Sequence, residues 1–191
     1  MKQEKSMKHL ACILCLFMVT GAMAQQKPTE IDKSPLDVCY FPPNYPILKM
    51  SGKTIAQPIA RVLYSRPQKK GRTIFGGEVK YNEVWRIGAN ESTEIEFFRN
   101  VTLGNKKVLK GRYTLYCIPN EDKWTFILNR DNFSWGSFSY RSQFDVARID
   151  SPVQKTSEEV EALTMYFENN GSNRLVVMWD SSMATLPISF Q

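Results

Sequence analysis

The sequence predicts an all-β protein, an antiparallel, jelly-roll-like β-sandwich with an extended N-terminal arm. From Ile59 onward, the side chains of several short segments follow a period of two. These segments are rich in aromatic and β-branched residues, as expected of strands. Turn-forming residues separate these segments at roughly ten-residue intervals, a spacing typical of sandwiches and barrels. We therefore expect a single sandwich domain over residues 59–191.

Four segments show the alternation most clearly. They are RYTLYCI (112–118), WTFIL (124–128), LTMYF (163–167) and RLVVMW (174–179). Because successive side chains of a strand point to opposite faces, every second residue of each segment is predicted to face the core. Trp124, Phe126 and Leu128 form one such set.

The connections between the strands carry turn residues. Gly104-Asn105 fits a two-residue hairpin loop between VTL and KKV, and Asn170-Gly171 fits the same role before the last strand. PNED, at 119–122, joins two of the strongest strand segments. Consecutive segments are thus expected to pair as antiparallel hairpins.

Two segments depart from the strand pattern. Thr156 and Glu159 in TSEEVEAL have the spacing of a capping box, which favours a short helix over 156–163. Residues 25–58 are rich in proline, lysine and polar side chains and include FPPNYP. We expect this second segment to be an extended N-terminal arm.

The first 24 residues have the pattern of a cleaved secretory signal. Lys2, Lys5 and Lys8 precede the apolar run LACILCLFMVTGAMA, which ends in Ala-Met-Ala at 22–24. A membrane anchor is the alternative, but a spanning helix needs roughly 20 apolar residues. Residues 1–24 are therefore predicted to be a signal peptide, and the mature protein to be secreted or periplasmic without a transmembrane segment.

The mature chain offers few groups for catalysis. Its only histidine, His9, lies in the predicted signal, which excludes Ser-His-Asp and Cys-His catalysis and His-rich zinc sites. Cys39 and Cys117 remain, too few for a four-cysteine zinc site. They form either one disulfide or two separate thiols, with Cys117 in the core. We expect neither a metal nor a cofactor, and whether the protein is an enzyme stays open.

Charge gives a weaker indication. The formal net charge of the whole chain is +6, and removing three lysines and one glutamate with the signal lowers it to +4. Acidic residues are spread among the basic ones. This modest surplus is compatible with a small anionic partner, whereas we expect no nucleic-acid partner for an exported protein.

Several longer stretches resemble a known family. They are ARVLYSRPQKKGRTIFGG, VWRIGANESTEIEF, GRYTLYCIPNEDKWTFILN, WGSFSY, DVARI and the terminal LTMYFENNGSNRLVVMWDSSMATLPI. In these stretches the chain resembles the secreted bacterial domain-of-unknown-function family 2911, common in Bacteroidetes. The resemblance implies an exported β-rich domain of unassigned activity, and it transfers no catalytic residue.

The stretch YSRPQKKGRTIFGG, residues 64–77, is the main candidate for a binding site. It does not match a Walker phosphate loop, because Gly77 and Glu78 stand where that motif needs lysine and serine or threonine. Its arginines offer planar forks that suit carboxylate or phosphate, and VWRIGANE adds further polar groups. The predicted anion clamp consists of Arg66, Lys70, Arg72, Arg86, Asn90 and Glu91. The alternative is a solvated surface whose arginines pair with nearby glutamates.

A carbohydrate site is the second possibility. WGSFSY, at 135–140, looks like a loop that carries aromatic side chains, and Trp135 and Tyr140 are the predicted stacking groups. Trp124 and Trp179 follow strand alternation and are predicted to lie in the core.

The predicted function is therefore the binding of a small anionic or carbohydrate-like ligand. One alternative is a histidine-independent hydrolase that uses paired carboxylates from among Glu91, Glu94, Glu96 and Asp145. The other is a structural envelope protein without a small-molecule site. A binding protein predicts that Arg66 and Arg86 converge in one pocket with aromatic side chains.

Overall fold

Two antiparallel β-sheets pack face to face in the computed structural model, which describes residues 29–54 and 56–190. The predicted all-β sandwich is thereby confirmed. The predicted signal peptide, residues 1–24, lies outside the described residues. No helix within the described ranges is long and apolar enough to cross a membrane.

In the part of the chain that the structure describes, ten strands form the two sheets. In chain order they are β1 (Leu36–Phe41), β2 (Ala60–Ser65), β3 (Glu94–Phe97), β4 (Val101–Leu103), β5 (Lys106–Val108), β6 (Gly111–Pro119), β7 (Lys123–Asn129), β8 (Asp145–Pro152), β9 (Gln154–Glu168) and β10 (Arg174–Ser189). The larger sheet has the order β1-β2-β3-β6-β7-β8, and the smaller sheet has the order β5-β4-β10-β9. The chain changes sheets three times, between β3 and β4, between β5 and β6, and between β8 and β9.

The core between the sheets is built from the alternating residues of the predicted strands. Leu115 and Cys117 of β6, Phe126 of β7, Leu163 of β9 and Val177 of β10 are each 0 % exposed. Burying one large apolar side chain contributes about 1.5–3 kcal/mol to the free energy of unfolding. The predicted core faces of the four clearest segments are therefore confirmed.

The two hairpin turns differ in length. β4 and β5 pair directly across Gly104-Asn105, and Gly104 has a φ of 57°. Glycine adopts such a positive φ without steric cost, which is what a two-residue hairpin turn requires. The loop between β9 and β10 is longer than the two residues expected, because Glu168 is opposite Arg174.

The prediction of a short helix over 156–163 is wrong, because these residues belong to β9. Val160 is opposite Asp180, and Met165 is opposite Val177 in the ladder with β10. A helix cap contributes about 1 kcal/mol, whereas the ladder gives partners to the backbone donors and acceptors along the strand. Long-range pairing thus overrides the local helix signal.

The segment expected to be an extended arm contains two regular elements. β1 is the edge strand of the larger sheet and pairs with β2 along its whole length. A short helix, α1 (Tyr45–Met50), follows, with a proline in its first turn. The larger sheet therefore includes residues that lie before the boundary predicted at residue 59.

Cys39 and Cys117 are both free thiols. Burial raises the pKa of Cys117, in the core, well above its ordinary value. Burial, and next the negative charge of Asp37, raises the pKa of Cys39 to about 12. Of the two possibilities that the sequence leaves open, the structure contains the separate thiols.

Candidate functional site

The basic loop, residues 66–72 after β2, begins with an arginine that is held by the framework. Arg66 donates from Nε to the carbonyl of Leu163 at 3.1 Å and from Nη2 to Oγ1 of Thr164 at 3.1 Å. Its Nη1 forms an ion pair with Oδ2 of Asp37 at 3.1 Å. Arg66 therefore connects the end of β2 to β1 and β9, and its fork is already occupied by protein acceptors.

Arg72 and Lys70 also contact neighbouring residues. Arg72 pairs with Glu78 at 2.9 Å and donates to the backbone carbonyls of Gln68 and Lys69. The backbone N–H of Lys70 donates to Oε1 of Glu161 at 2.8 Å. These bonds fix the shape of the basic loop.

A Ser-Lys nucleophile pair is not favoured in this region. Lys69 Nζ lies 2.7 Å from Glu159 and 2.9 Å from Asp180. The hydrogen bonds to Glu159 and then to Asp180 raise the pKa of Lys69, so the amine stays protonated and cannot act as a base. Ser65 is buried, and its hydroxyl is bonded to the backbone of Ala89.

A cavity of about 160 Å³ brings Arg72 and Arg86 together. Trp85 and Trp179 also line it, and their rings are stacked with centroids 6.1 Å apart. Among the described residues of this lining, Glu78 is the one carboxylate, and it is bonded to Arg72. The cavity therefore contains two guanidinium groups against one carboxylate.

Arg86 is the uncompensated charge of this cavity. Its Nε is buried and has no hydrogen-bond partner. No carboxylate within residues 29–54 and 56–190 forms an ion pair with Arg86. Burial lowers the pKa of its guanidinium, which still carries its charge at neutral pH. A partly buried charge without a partner is costly, and an anion would offset that cost.

The segment that carries Arg86, VWRIGANE, is not a regular strand. Trp85 forms an isolated antiparallel bridge with Cys117. Positive φ angles at Ile87 (52°) and Asn90 (58°) then interrupt the extended backbone. Trp85 and Ile87 are buried in the core. Arg86 lies between them in the chain and lines the cavity instead of the core.

The connection between β7 and β8, residues 130–144, lies beside Arg86 and is called the aromatic loop below. Gly136 donates its N–H to the carbonyl of Asn90 at 2.9 Å, and Trp135 forms an antiparallel bridge with Glu91. A Cβ atom on Gly136 would lie 3.5 Å from Nη1 of Arg86. Arg86, Asn90, Glu91 and Trp135 are therefore close together.

Tyr140, on the same loop, has a framework role. Its hydroxyl donates to Oδ2 of Asp145 at 2.7 Å and accepts from Arg148 at 2.6 Å, and its ring packs edge-on against Tyr116. Burial and then Asp145 raise the pKa of Tyr140 to about 12. Tyr140 therefore attaches the loop to the larger sheet.

The structure gathers one part of the predicted site residues and separates the rest. Around the cavity and the aromatic loop lie Arg72, Arg86, Asn90, Glu91 and Trp135. In framework contacts lie the side chains of Arg66 and Tyr140 and the backbone N–H of Lys70. Asp37, Leu163 and Thr164 take up the Arg66 donors, and the described lining of the cavity at Arg86 contains Arg72 and not Arg66.

Sequence reasoning missed several contributors to the site. They are Glu78, Trp179, Phe133 and Phe138. The parity of Trp179 in its strand signals a core position, and that residue is both in the core and in the cavity lining. The two phenylalanines lie on a loop that contains four serines, one asparagine and one glycine, and these turn-forming residues are the signal that could have found them.

Of the four carboxylates of the hydrolase alternative, Glu94, Glu96 and Asp145 are engaged in ion pairs, whereas the ion pairs of the described residues do not include Glu91. Glu94 and Glu96 lie 3.6 Å and 3.9 Å from Arg112, and Asp145 lies 2.8 Å from Arg148. In the part of the chain that the structure describes, no three His, Cys, Asp or Glu side chains are grouped as metal ligands.

Two arginine substitutions distinguish a framework residue from a binding residue. Arg66→Met is expected to lower the free energy of unfolding by about 1–2 kcal/mol, because it breaks an ion pair and two hydrogen bonds that are partly exposed. Arg86→Met is expected to leave it unchanged or to raise it by up to about 1 kcal/mol, because an unpaired charge is replaced by an apolar chain of similar length. Urea unfolding of both variants measures the difference.

Equal losses in the two variants would contradict this assignment. Arg86 would then stabilise the fold, and its charge would not be available to a ligand.

The face-to-face antiparallel sheets define the class of this chain, an all-β sandwich protein. The chain belongs to the DUF2911 family, described as a protein of unknown function, whose sequence profile matches residues 48–188. No curated protein and no solved structure matches the chain.

Proposed function

We propose that this protein binds a small anionic molecule, a carboxylate or a phosphate, in the cavity lined by Arg86 and Arg72. The observation that carries the proposal is the Arg86 guanidinium, which lines a cavity and has a buried Nε without a partner. A guanidinium presents parallel N–H donors that match two oxygens of a carboxylate or phosphate.

The surroundings of Arg86 strengthen such an interaction. Trp85 and Trp179 supply apolar walls, so an anion in the cavity would be partly shielded from water. Charge interactions are stronger in a medium of lower dielectric constant. Glu78 is held by Arg72 and so does not neutralise Arg86. The ligand would thus supply the negative charge that the cavity lacks.

Binding is favoured over the two alternatives. A retaining or inverting hydrolase needs two carboxylates that flank the scissile bond, whereas the described lining of the cavity contains Glu78 alone, bonded to Arg72. A purely structural envelope protein does not require an unpaired arginine in a cavity, and such a charge costs stability. We also propose export to the periplasm or the medium, on the basis of the signal pattern of residues 1–24.

The proposal is tested by thermal unfolding of the mature protein in phosphate or acetate against chloride at matched ionic strength. Phosphate and acetate are expected to raise the melting temperature, because they bind the folded state and not the unfolded one. Arg86→Met is expected to weaken binding by at least about tenfold, since hydrogen bonds to a charged group contribute about 1.5–3 kcal/mol.

Arg99→Met is the matched control, because Arg99 is an exposed arginine in the turn between β3 and β4. It should leave the phosphate and acetate effects unchanged. The proposal is wrong if chloride stabilises the protein as well as phosphate and acetate do, or if the two variants lose the effect equally.

A further inference from the structure

The aromatic loop presents large apolar rings to solvent. Phe133 is 80 % exposed, Trp135 is 59 % exposed and Phe138 is 87 % exposed. All three lie within six consecutive positions of the sequence. A cluster of exposed rings on one loop is the kind of apolar surface that marks a binding site.

The backbone of this loop is nevertheless held in place. The hydroxyl of Ser92 donates to the carbonyl of Gly136, and the backbone N–H of Ser92 donates to the carbonyl of Ser134 at 2.9 Å. Asn132 donates to the carbonyl of Arg112 at 3.1 Å. The rings are therefore displayed by a fixed backbone, which reduces the entropy that is lost when a ligand binds.

Phe133 combines high exposure with an unusual backbone conformation. Its φ is 63°, in the left-handed region that bulky side chains adopt rarely and at a cost. The guanidinium of Arg112 lies over its ring, 5.5 Å from the centroid. An apolar side chain held in this backbone conformation and left exposed does not serve the core of the fold.

Polar groups border the rings on the side of Arg86. A Cβ atom on Gly136 would be within 3.5 Å of both Arg86 Nη1 and the ring of Phe138, so the guanidinium and that ring lie close together. Glu91 is exposed and is bridged to Trp135, and the side chains of such a pair lie side by side. A cation, a hydroxyl acceptor and exposed rings thus meet in one place.

We propose that the ligand is an acidic carbohydrate whose carboxylate binds Arg86 while its ring rests on Trp135 and Phe138. This inference depends on the proposed anion site at Arg86. A sugar ring has an apolar C–H face that packs on an aromatic ring, and its hydroxyls need partners at the rim. Glu91 accepts hydroxyl protons there, and the amide of Asn90 both donates and accepts. Such a ligand uses the charge, the rings and the rim at the same time.

An anionic membrane fits this surface less well. Attraction to anionic lipids needs an excess of basic side chains near the membrane. Two basic residues on or beside the aromatic loop are paired with carboxylates, Arg112 with Glu94 and Arg141 with Asp131. Glu91, exposed beside Trp135, would be repelled by the lipid headgroups.

The test compares glucuronate with glucose, which has the same ring without the carboxylate, and with acetate, which has the carboxylate without the ring. Titrations of the mature protein are followed by nuclear magnetic resonance of the tryptophan indole N–H groups, assigned with single Trp→Phe variants. Trp85 and Trp179 report on the cavity, and Trp135 reports on the aromatic loop. Glucuronate is expected to bind at least about tenfold more tightly than glucose or acetate and to shift all three signals.

Trp135→Ala is expected to weaken glucuronate binding about five- to tenfold and to leave acetate binding unchanged. The inference is overturned if glucuronate binds no better than acetate and the Trp135 signal stays fixed; acetate binding at Arg86 would then still support the proposed function. If none of the anions shifts the signals of Trp85 and Trp179, the proposed function itself fails. If the protein cosediments with phosphatidylglycerol vesicles and does not respond to glucuronate, the inference is overturned and the surface is a membrane-binding one.

Discussion

Replacing Trp124 with alanine is expected to lower the free energy of unfolding by about 3–5 kcal/mol. Trp124 of β7 is 1 % exposed and packs against Phe75, Trp85 and Phe126, with ring centroids 4.8–6.3 Å away. Among the described residues Trp124 is the largest fully buried side chain, and its removal would leave a cavity that its aromatic neighbours cannot fill. Domains of this size have about 5–15 kcal/mol of stability in total, so the loss is a large fraction. Urea unfolding at neutral pH measures it.

Trp135→Ala is the matched control, because it removes the same side chain from an exposed position. Trp135 is 59 % exposed, and the free energy of unfolding is expected to change by no more than about 0.5 kcal/mol. A loss in Trp135→Ala as large as that in Trp124→Ala would show that the aromatic loop is part of the folding core. It would then be a poor candidate for a ligand-binding surface.

The strand faces could be predicted from sequence because a period of two in apolar residues reports burial directly. Phe126 and Val177 lie in the core for this reason. Pairing between distant segments leaves no comparable local signal. The stretch 156–163 contains a helix-start pattern and is nevertheless part of β9, and β1 became recognisable as an edge strand only from its partner β2.

The candidate site also contains residues that local sequence signals could predict and residues whose roles depend on distant partners. Arg86, Asn90, Glu91 and Trp135 could be grouped in advance, since they belong to one short segment and to one loop rich in aromatics. The role of Arg66 could not, because its acceptors lie on β1 and β9, far along the chain. Whether an arginine is paired or unpaired depends on such distant partners, and composition alone does not reveal it.

The protein is expected to lose stability steeply as the pH rises from 9 to 12. Burial raises the pKa of Cys39 to about 12, and burial also raises that of Tyr64 to about 12. The unfolded chain releases these protons near the ordinary pKa values of 9.0 and 10.0, whereas the folded chain keeps them. The unfolded state therefore gains as the pH rises, and for Cys39 alone the loss of unfolding free energy is on the order of 3 kcal/mol. Urea unfolding at a series of pH values between 8 and 11.5 measures the slope.

The thiol part of this slope can be separated from the tyrosine part. Between pH 9 and pH 10 the thiols titrate first in the unfolded chain, so Cys39→Ala/Cys117→Ala should flatten the profile there and keep the fall above pH 10. Folded protein should also react with iodoacetamide at pH 9 far more slowly than unfolded protein, because the thiolate is the reactive form. Rapid alkylation of the folded chain would show that these thiols do not hold their protons. If the double variant had the same slope of unfolding free energy against pH as the parent, the loss of stability at alkaline pH would have another origin.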